Sequence, residues 1–259
     1  MSQISIVENK PALLIDVLDD DKINRVLVIS DLHLGNSHWL QNTEIAIDWY
    51  HIVNEVEIEL RDIVFSKKVN SIVLLGDIKN NFYKVEKEDW TLIPNFLHSL
   101  SDICKLYLIP GNHDSRLELI TPENVDLIGV KGMVLDDILL THGHTTPSEL
   151  RSNINKIVMG HVHPTFFRGN SMLNGQKIWI FLKVKKESIF PSTNGLLDVV
   201  LIPSFSKYAY GNSKFRNKKI SSPILKKLMR KGAIEKCLIA TLDGTIIGNE
   251  NTLSGDLNF

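Results

Sequence analysis

Cysteine is almost absent from this 259-residue sequence: two stand at positions 104 and 237, far apart. That excludes a disulfide-stapled fold and a site built on thiolates. Cys104 falls in an expected buried strand, where a free thiol acts as a small hydrophobe. No apolar run approaches the roughly eighteen residues of a membrane-spanning helix, so no membrane partner is expected. The opening MSQISIVENK lacks the apolar core of a secretory signal, which leads us to expect a soluble, cytoplasmic protein. Internal repeats and low-complexity linkers are missing too. With 43% apolar and 23% charged residues, the composition is that of an ordinary globular protein, and the length suffices for a sizeable core.

Net charge is nearly missing as well, at −1. That value conceals an uneven distribution. Residues 1–150 carry 12 Lys and Arg against 24 Asp and Glu; residues 151–236 carry 17 against 3; the remainder carry three acids and no base. Basic clusters stand at KVKK (183–186), KFRNKK (214–219) and KKLMRK (226–231). Such a chain can present one face to a polyanion, or its acids and bases can mingle on folding; composition does not separate the two.

Apolar runs at 25–30, 71–75, 104–109, 137–141 and 156–159 predict strands. Between the first two, Trp49, Ile52, Val53, Val56, Leu60, Ile63 and Val64 recur at three- and four-residue steps, which predicts a helix over about 43–66. A second helix is predicted near 88–101, with Pro94 disturbing its start. Strand–helix–strand alternation implies βαβ units. Runs at 177–184 and 196–202 predict strands with no helix between them. One α/β domain with a β-rich second half accounts for the order.

Polar residues follow each of the first five strands at once: SDLHLG, GDIKN, GNHD, THGH and GHVHP. Six of the nine histidines lie in these five places. Parallel strands bring their C-terminal ends to one edge of a sheet, where ligands bind. Asp31 and His33 are two residues apart, as are His161 and His163. In an extended segment that spacing points both side chains the same way. Carboxylates and imidazoles suit Mn, Fe, Zn or related ions. Asp77, Asn112 and His142 raise the candidate ligands to seven, more than one open tetrahedral site needs and enough for two metals sharing a carboxylate. Each motif alone reads as a turn or surface pair; five in order, each after a strand, do not. His38, His51 and His98 lie in helical or pre-helical stretches and read as ordinary residues.

D-x-H, G-D, G-N-H-D, H-G-H and G-H-x-H in this order resemble the calcineurin-like metallophosphoesterase superfamily, from about Arg25 to Pro164. The resemblance implies an α/β fold of the αββα type, two β-sheets flanked by helices, with a dinuclear metal site at the strand ends. It implies that Asp31, His33 and His163 hold one metal, that Asn112, His142 and His161 hold the other, and that Asp77 bridges them. His142 is preferred to His144 because the first histidine of H-G-H is usually the ligand. The expected cofactors are two divalent ions, Mn first, with Fe, Zn, Ni or Co as alternatives. His113 is expected to face the phosphate and assist the leaving group, while Asp114 ties the turn together. Asn80 departs from the family pattern, which favours His or Asp there; its amide can hydrogen-bond to phosphate or to His113 but carries no charge.

The stretches VVLIPSFSKYAYGN (199–212) and SSPILKK (221–227) are similar to a narrower group, compact phosphoesterases related to SbcD-type DNA nucleases. This implies a single domain over 1–259, with a core of about 25–212 and a basic C-terminal extension of about 213–259. It implies DNA or RNA as partner, and it is compatible with a helicase or ligase partner and with a homodimer. The expected function is a phosphodiesterase acting on nucleic acid. The alternatives are a phosphodiesterase or phosphomonoesterase for small or cyclic nucleotides, a non-catalytic scaffold, and a nucleic-acid-binding subunit.

Overall fold

The computed structural model describes residues 2–19, 22–35, 48–148, 151, 153–167, 170–207, 222–230, 232–249 and 257–258. In chain order the elements are β1 (Gln3–Ile6), β2 (Leu13–Asp19), β3 (Lys22–Ile29), α1 (Trp49–Lys67), β4 (Ser71–Leu75), α2 (Asp89–Ser101), β5 (Lys105–Ile109), β6 (Asp126–Leu127), β7 (Met133–Leu135) and β8 (Ile138–Thr141). They continue with β9 (Lys156–Met159), β10 (Thr165–Phe166), β11 (Ile178–Lys185), β12 (Leu196–Leu201), α3 (Pro223–Leu228), β13 (Ile234–Thr241), β14 (Ile246–Asn249) and β15 (Leu257–Asn258).

The strands form two large sheets. One has the order β1-β2-β3-β4-β5-β6 and the other β14-β13-β11-β12-β9-β8-β7; β10 and β15 pair separately. Strands β3 to β6 run parallel, as do β8, β9 and β12. The five strands that carry polar ends therefore divide between two sheets, three in one and two in the other. They do not share the single sheet edge that simple alternation suggests. The β1–β2 hairpin has no counterpart in the sequence reading: β1 is a short edge strand of mixed polar and apolar residues, and β2 lies between it and β3.

Alternation along each strand explains the layers. Val26 and Val28 of β3 and Val73 and Leu75 of β4 point inward, meeting Leu140, Val158, Trp179 and Val200 of the second sheet. Their neighbours Leu27, Ile29, Ile72 and Leu74 point outward, against Val56, Leu60 and Ile63 of α1 and Ile93, Phe96 and Leu97 of α2. The outer face of the second sheet packs on Ile224, Leu225 and Leu228 of α3. The result is a helix–sheet–sheet–helix stack, as expected. Buried on both faces, the parallel strands read as continuous apolar runs.

Asp48 caps α1 by accepting the His51 N–H, and the helix ends at Lys68 in a left-handed conformation. Residues 43–47 of the predicted helix lie outside the described residues. Helix α2 runs through Pro94 instead of being broken by it. The carbonyl that Pro94 cannot reach belongs to Trp90, on the exposed side, where water can satisfy it. Cys104 precedes β5 and is half-buried, so it is not a strand core residue.

Trp179 is fully buried between the sheets, and its indole N–H has no hydrogen-bond partner among the described residues. Trp179→Ala should cost about 3–5 kcal/mol in urea unfolding. Trp179→Phe should cost less than half of that, because it also removes an unpaired buried donor. Equal losses in the two variants would show that the N–H is satisfied.

Candidate metal centre

The turns that end the strands bend in an unusual way. Asp31 (φ 58°), His33 (48°), Asp77 (52°), His161 (72°) and His163 (43°) all lie in the left-handed region. Asp and His tolerate it better than most non-glycine residues, yet each such residue costs on the order of 1–3 kcal/mol. This corrects the sequence argument for convergence. Asp31 and His33 do not converge as alternate residues of an extended segment, and neither do His161 and His163. They converge because the backbone curls at each of them.

Hydrogen bonds hold these turns in place. Beyond β3, Asp31, His33 and Leu34 donate their N–H groups to the carbonyls of Gly76, Asp77 and Ile78, at 3.0, 2.8 and 2.7 Å. The pairing of β3 with β4 thus continues past the strands into the site. The Asp114 carboxylate accepts from the N–H groups of Gly111 (2.8 Å), Ile78 (2.9 Å) and Lys79 (3.2 Å), locking the β5 turn to the β4 turn. Asp31 joins the sheets: its carboxylate accepts the His161 N–H at 3.0 Å. Two close approaches require glycine. A Cβ on Gly111 would fall on the Asp77 carboxylate, and one on Gly160 would lie 2.6 Å from Asp31 Oδ2.

The side chains then meet in two groups that share one residue. Ligand atoms of Asp31, His33, Asp77 and His163 lie within 4.8 Å of one another, and so do those of Asp77, His142 and His161. In the first group His163 Nε2 is 3.2 Å from His33 Nε2 and 3.1 Å from Asp31 Oδ1. In the second, His142 Nε2 is 3.4 Å from Asp77 Oδ1 and 3.2 Å from Asn112 Oδ1. The Nδ1–H of His142 donates to the Leu75 carbonyl at 2.7 Å, which aims Nε2 at the site. All seven expected ligands are brought together. Asn80 and His113 stand beside them: His113 Nδ1–H donates to the Asn80 carbonyl at 2.6 Å, and Nε2 lies 3.7 Å from Asp77 Oδ2.

Electrostatics favour a bound cation. Burial opposes ionisation of Asp31, but His163 and His142 hold its carboxyl at about 2. Asp77 is also held well below the carboxylate range despite burial, by its hydrogen bond with His142. Burial pushes His33 down to about 3 and His161 to about 4, so both are neutral and free to ligate. Burial also acts against charge on His142, yet the two carboxylates around it raise it to about 9. Two buried anions thus draw positive charge onto His142, which lies 3.8 Å from Asp31 and 3.4 Å from Asp77. The donor set of carboxylate and amide oxygens with neutral imidazoles fits divalent transition metals.

Several residues of the site gave no signal in the sequence. After β12, Phe205 N–H donates to the Ser30 carbonyl at 2.8 Å, and the Ser204 hydroxyl donates to the Asp31 carbonyl at 2.8 Å. Lys177 ties this segment down by donating to the Ser204 and Ser206 carbonyls at 2.8 and 2.5 Å. The segment lies in the stretch 199–212 that resembles the narrower group, but that resemblance gave neither Ser204 nor Phe205 a place at the site. Asn80 contacts His113 through its carbonyl, a role its side-chain type cannot reveal. His144 lies beside the second group, its ring centroid 5.2 Å from that of His142. His51 and His98 form surface pairs with Glu55 and Asp102, as ordinary residues do, and His38 lies outside the described residues.

The calcineurin-like phosphoesterase family matches residues 24–190. No curated protein matches the chain. The fold is similar to that of the nuclease MPE of Pseudomonas putida, with a TM-score of 0.53 at 15% identity, covering 93% of this chain and 98% of that one. Yfce, a phosphoesterase from E. coli, aligns at a TM-score of 0.39 and 14% identity, over 86% of this chain and 97% of that one.

Because Asp77 belongs to both ligand groups, Asp77→Asn should lower metal content throughout the site. Plasma emission spectrometry of Mn-loaded protein should show most of the bound metal gone. Full occupancy in that variant would rule out a shared carboxylate.

Proposed function

This chain belongs to the calcineurin-like phosphoesterase family, hydrolases of phosphoric ester bonds, and from that premise we propose that it is a two-metal phosphodiesterase acting on nucleic acid. The observation that carries the reading is the Asp77 carboxylate, shared by two ligand groups with His113 on the same rim. Divalent ions held there, Mn first among them, would neutralise phosphoryl oxygens and acidify water. Asp31, His33 and His163 would hold one ion, and Asn112, His142 and His161 the other.

His113 is the group placed to handle the leaving oxygen. The Asn80 carbonyl takes its Nδ1–H, so Nε2 faces the centre. The backbone N–H of His113 donates to Asp77 Oδ1 at 2.8 Å, fixing the ring's root to the shared ligand. Burial lowers the His113 pKa, and the Asp77 carboxylate opposes that shift. Asn80 touches this ring through its backbone carbonyl, and a side-chain amide at this position can contact phosphate without adding charge.

Charge supports a polyanionic substrate, though not through every basic cluster. Lys183 and Lys185 pair with Asp198 and Glu235 at 3.0 and 3.4 Å, and Lys186 is buried. Two of the three lysines of KVKK are therefore paired within the fold, and KFRNKK lies outside the described residues. Helix α3 is different: Lys226, Lys227 and Arg230 lie on or just after it, while Ile224, Leu225 and Leu228 pack inward. Ser222, the cap of α3, donates to the Gly143 carbonyl at 2.8 Å, which ties the start of this helix to the His142–His144 turn. The narrower likeness to SbcD-type nucleases agrees with this reading, as does the fold likeness to a nuclease.

Hydrolysis assays with Mn should show turnover of bis-p-nitrophenyl phosphate and single-stranded DNA or RNA. His113→Ala should retain metal and lose about 10²–10⁴ in rate on oligonucleotides, and less on p-nitrophenyl esters, whose leaving group needs little protonation. Turnover confined to monoesters would overturn the reading.

Replacing Lys226, Lys227 and Arg230 together with Gln should weaken single-stranded nucleic-acid binding. The log–log salt slope should flatten by about 0.7–0.9 for each phosphate that is no longer neutralised. An unchanged slope in fluorescence anisotropy titrations would exclude α3 as the binding surface.

A further inference from the structure

The loop that follows β4 ends in two large aromatic side chains facing solvent. Phe82 is 47% exposed and Tyr83 86% exposed. A soluble fold gains by burying such residues, and a flexible loop could turn them inward. This loop is pinned. Asn81 Oδ1 accepts the N–H groups of Tyr83 and Lys84 at 2.9 and 3.3 Å, and Asn81 Nδ2 donates to Glu86 at 2.7 Å. The Lys79 ammonium donates to the Asn81 carbonyl, and the Ser115 hydroxyl donates to the Phe82 carbonyl. The backbone is thus fixed from both the β4 and the β5 turns, with the rings left outside.

The rings are also fixed relative to the metal centre. Phe82 lies over His113 with centroids 3.5 Å apart and planes tilted by 32°. The Tyr83 ring follows at 6.2 Å from Phe82, tilted by 43°. His113 Nε2 in turn is 3.7 Å from Asp77 Oδ2. One continuous path therefore runs from the shared ligand, through the imidazole that faces the leaving oxygen, to an exposed aromatic surface. A group covalently attached to the reacting phosphate on that side would reach the surface first. Flat π-systems stack on aromatic rings without regard to sequence.

Resting on the phosphodiesterase reading above, we propose that Phe82 and Tyr83 form a nucleobase-stacking subsite, which takes the base next to the scissile phosphate in a single-stranded substrate. Phe82 has one face on His113 and serves as the inner wall. Tyr83 is the free platform. A paired base, stacked within its duplex, cannot use it, so the subsite selects unpaired ends and single strands.

The test compares two diesters that differ in the group that leaves: thymidylyl-(3′→5′)-thymidine, and the same phosphodiester between two abasic deoxyriboses, so that whichever alcohol leaves carries a base in the first and none in the second. With Mn-loaded protein, Tyr83→Ala should lower the kcat/KM preference for the thymidine dinucleotide over its abasic analogue by about 5- to 150-fold, the size of one base–aromatic stack. The effect should appear in KM more than in kcat, and Tyr83→Trp should keep the preference. A general structural defect lowers both substrates together and leaves the ratio unchanged, as does a pair of rings that serves a protein partner; an unchanged ratio overturns the proposal. If the wild type turns over neither diester, the phosphodiesterase reading fails, and the subsite is then read by binding alone. A single-stranded oligonucleotide carrying 2-aminopurine should be quenched by the wild type and not by Tyr83→Ala. Equal quenching by both proteins would overturn the subsite.

Discussion

Two carboxylates buried side by side, Asp31 and Asp77, govern the rest of this structure. Burying one unpaired anion is costly, and burying two in contact with the same imidazoles is more so. The fold answers with hydrogen bonds to each: His161 N–H and the Ser30 hydroxyl on Asp31, His113 N–H on Asp77. These donors orient the oxygens without cancelling their charge. The remaining deficit raises the pKa of His142, while burial keeps His33 and His161 neutral. A divalent cation is the species that resolves such a site.

The sandwich exists, in this view, to bring two sets of strand ends face to face. The inner core sets the distance between sheets, through Val28, Leu75, Leu140, Val158 and Trp179. Asp31 and its neighbours then bridge the gap, reaching the turn after β9 and the segment after β12. Five left-handed residues at the ends of β3, β4 and β9 store strain that the interlocking turns sustain. A site built this way is already shaped before any ligand arrives, which is what positioning catalysis requires.

The fold was legible where strands are apolar throughout. Runs such as SIVLL and KIVM read as strands buried on both faces, and the polar residues after them marked the site. The division into two sheets was not legible from alternation, because a strand's own sequence does not name its partner. The spacing of Asp31 and His33 pointed to the right residues for the wrong physical reason, since extended geometry was assumed where the backbone is left-handed. Contributions through backbone atoms, such as the Asn80 carbonyl on His113, leave no trace in residue type. The basic cluster at 183–186 misled for a related reason: its counter-charges Asp198 and Glu235 come from neighbouring strands remote in sequence.

The central claim is that one buried carboxylate, Asp77, serves two cation sites at the meeting edge of two sheets. Anomalous diffraction at the manganese absorption edge from Mn-soaked crystals tests it most directly. Two peaks are expected, one on each side of the Asp77 carboxylate, separated by about 3.5–4 Å. One should lie among Asp31, His33 and His163, and the other among Asn112, His142 and His161. A single peak, or peaks that leave Asp77 uncoordinated, would contradict it.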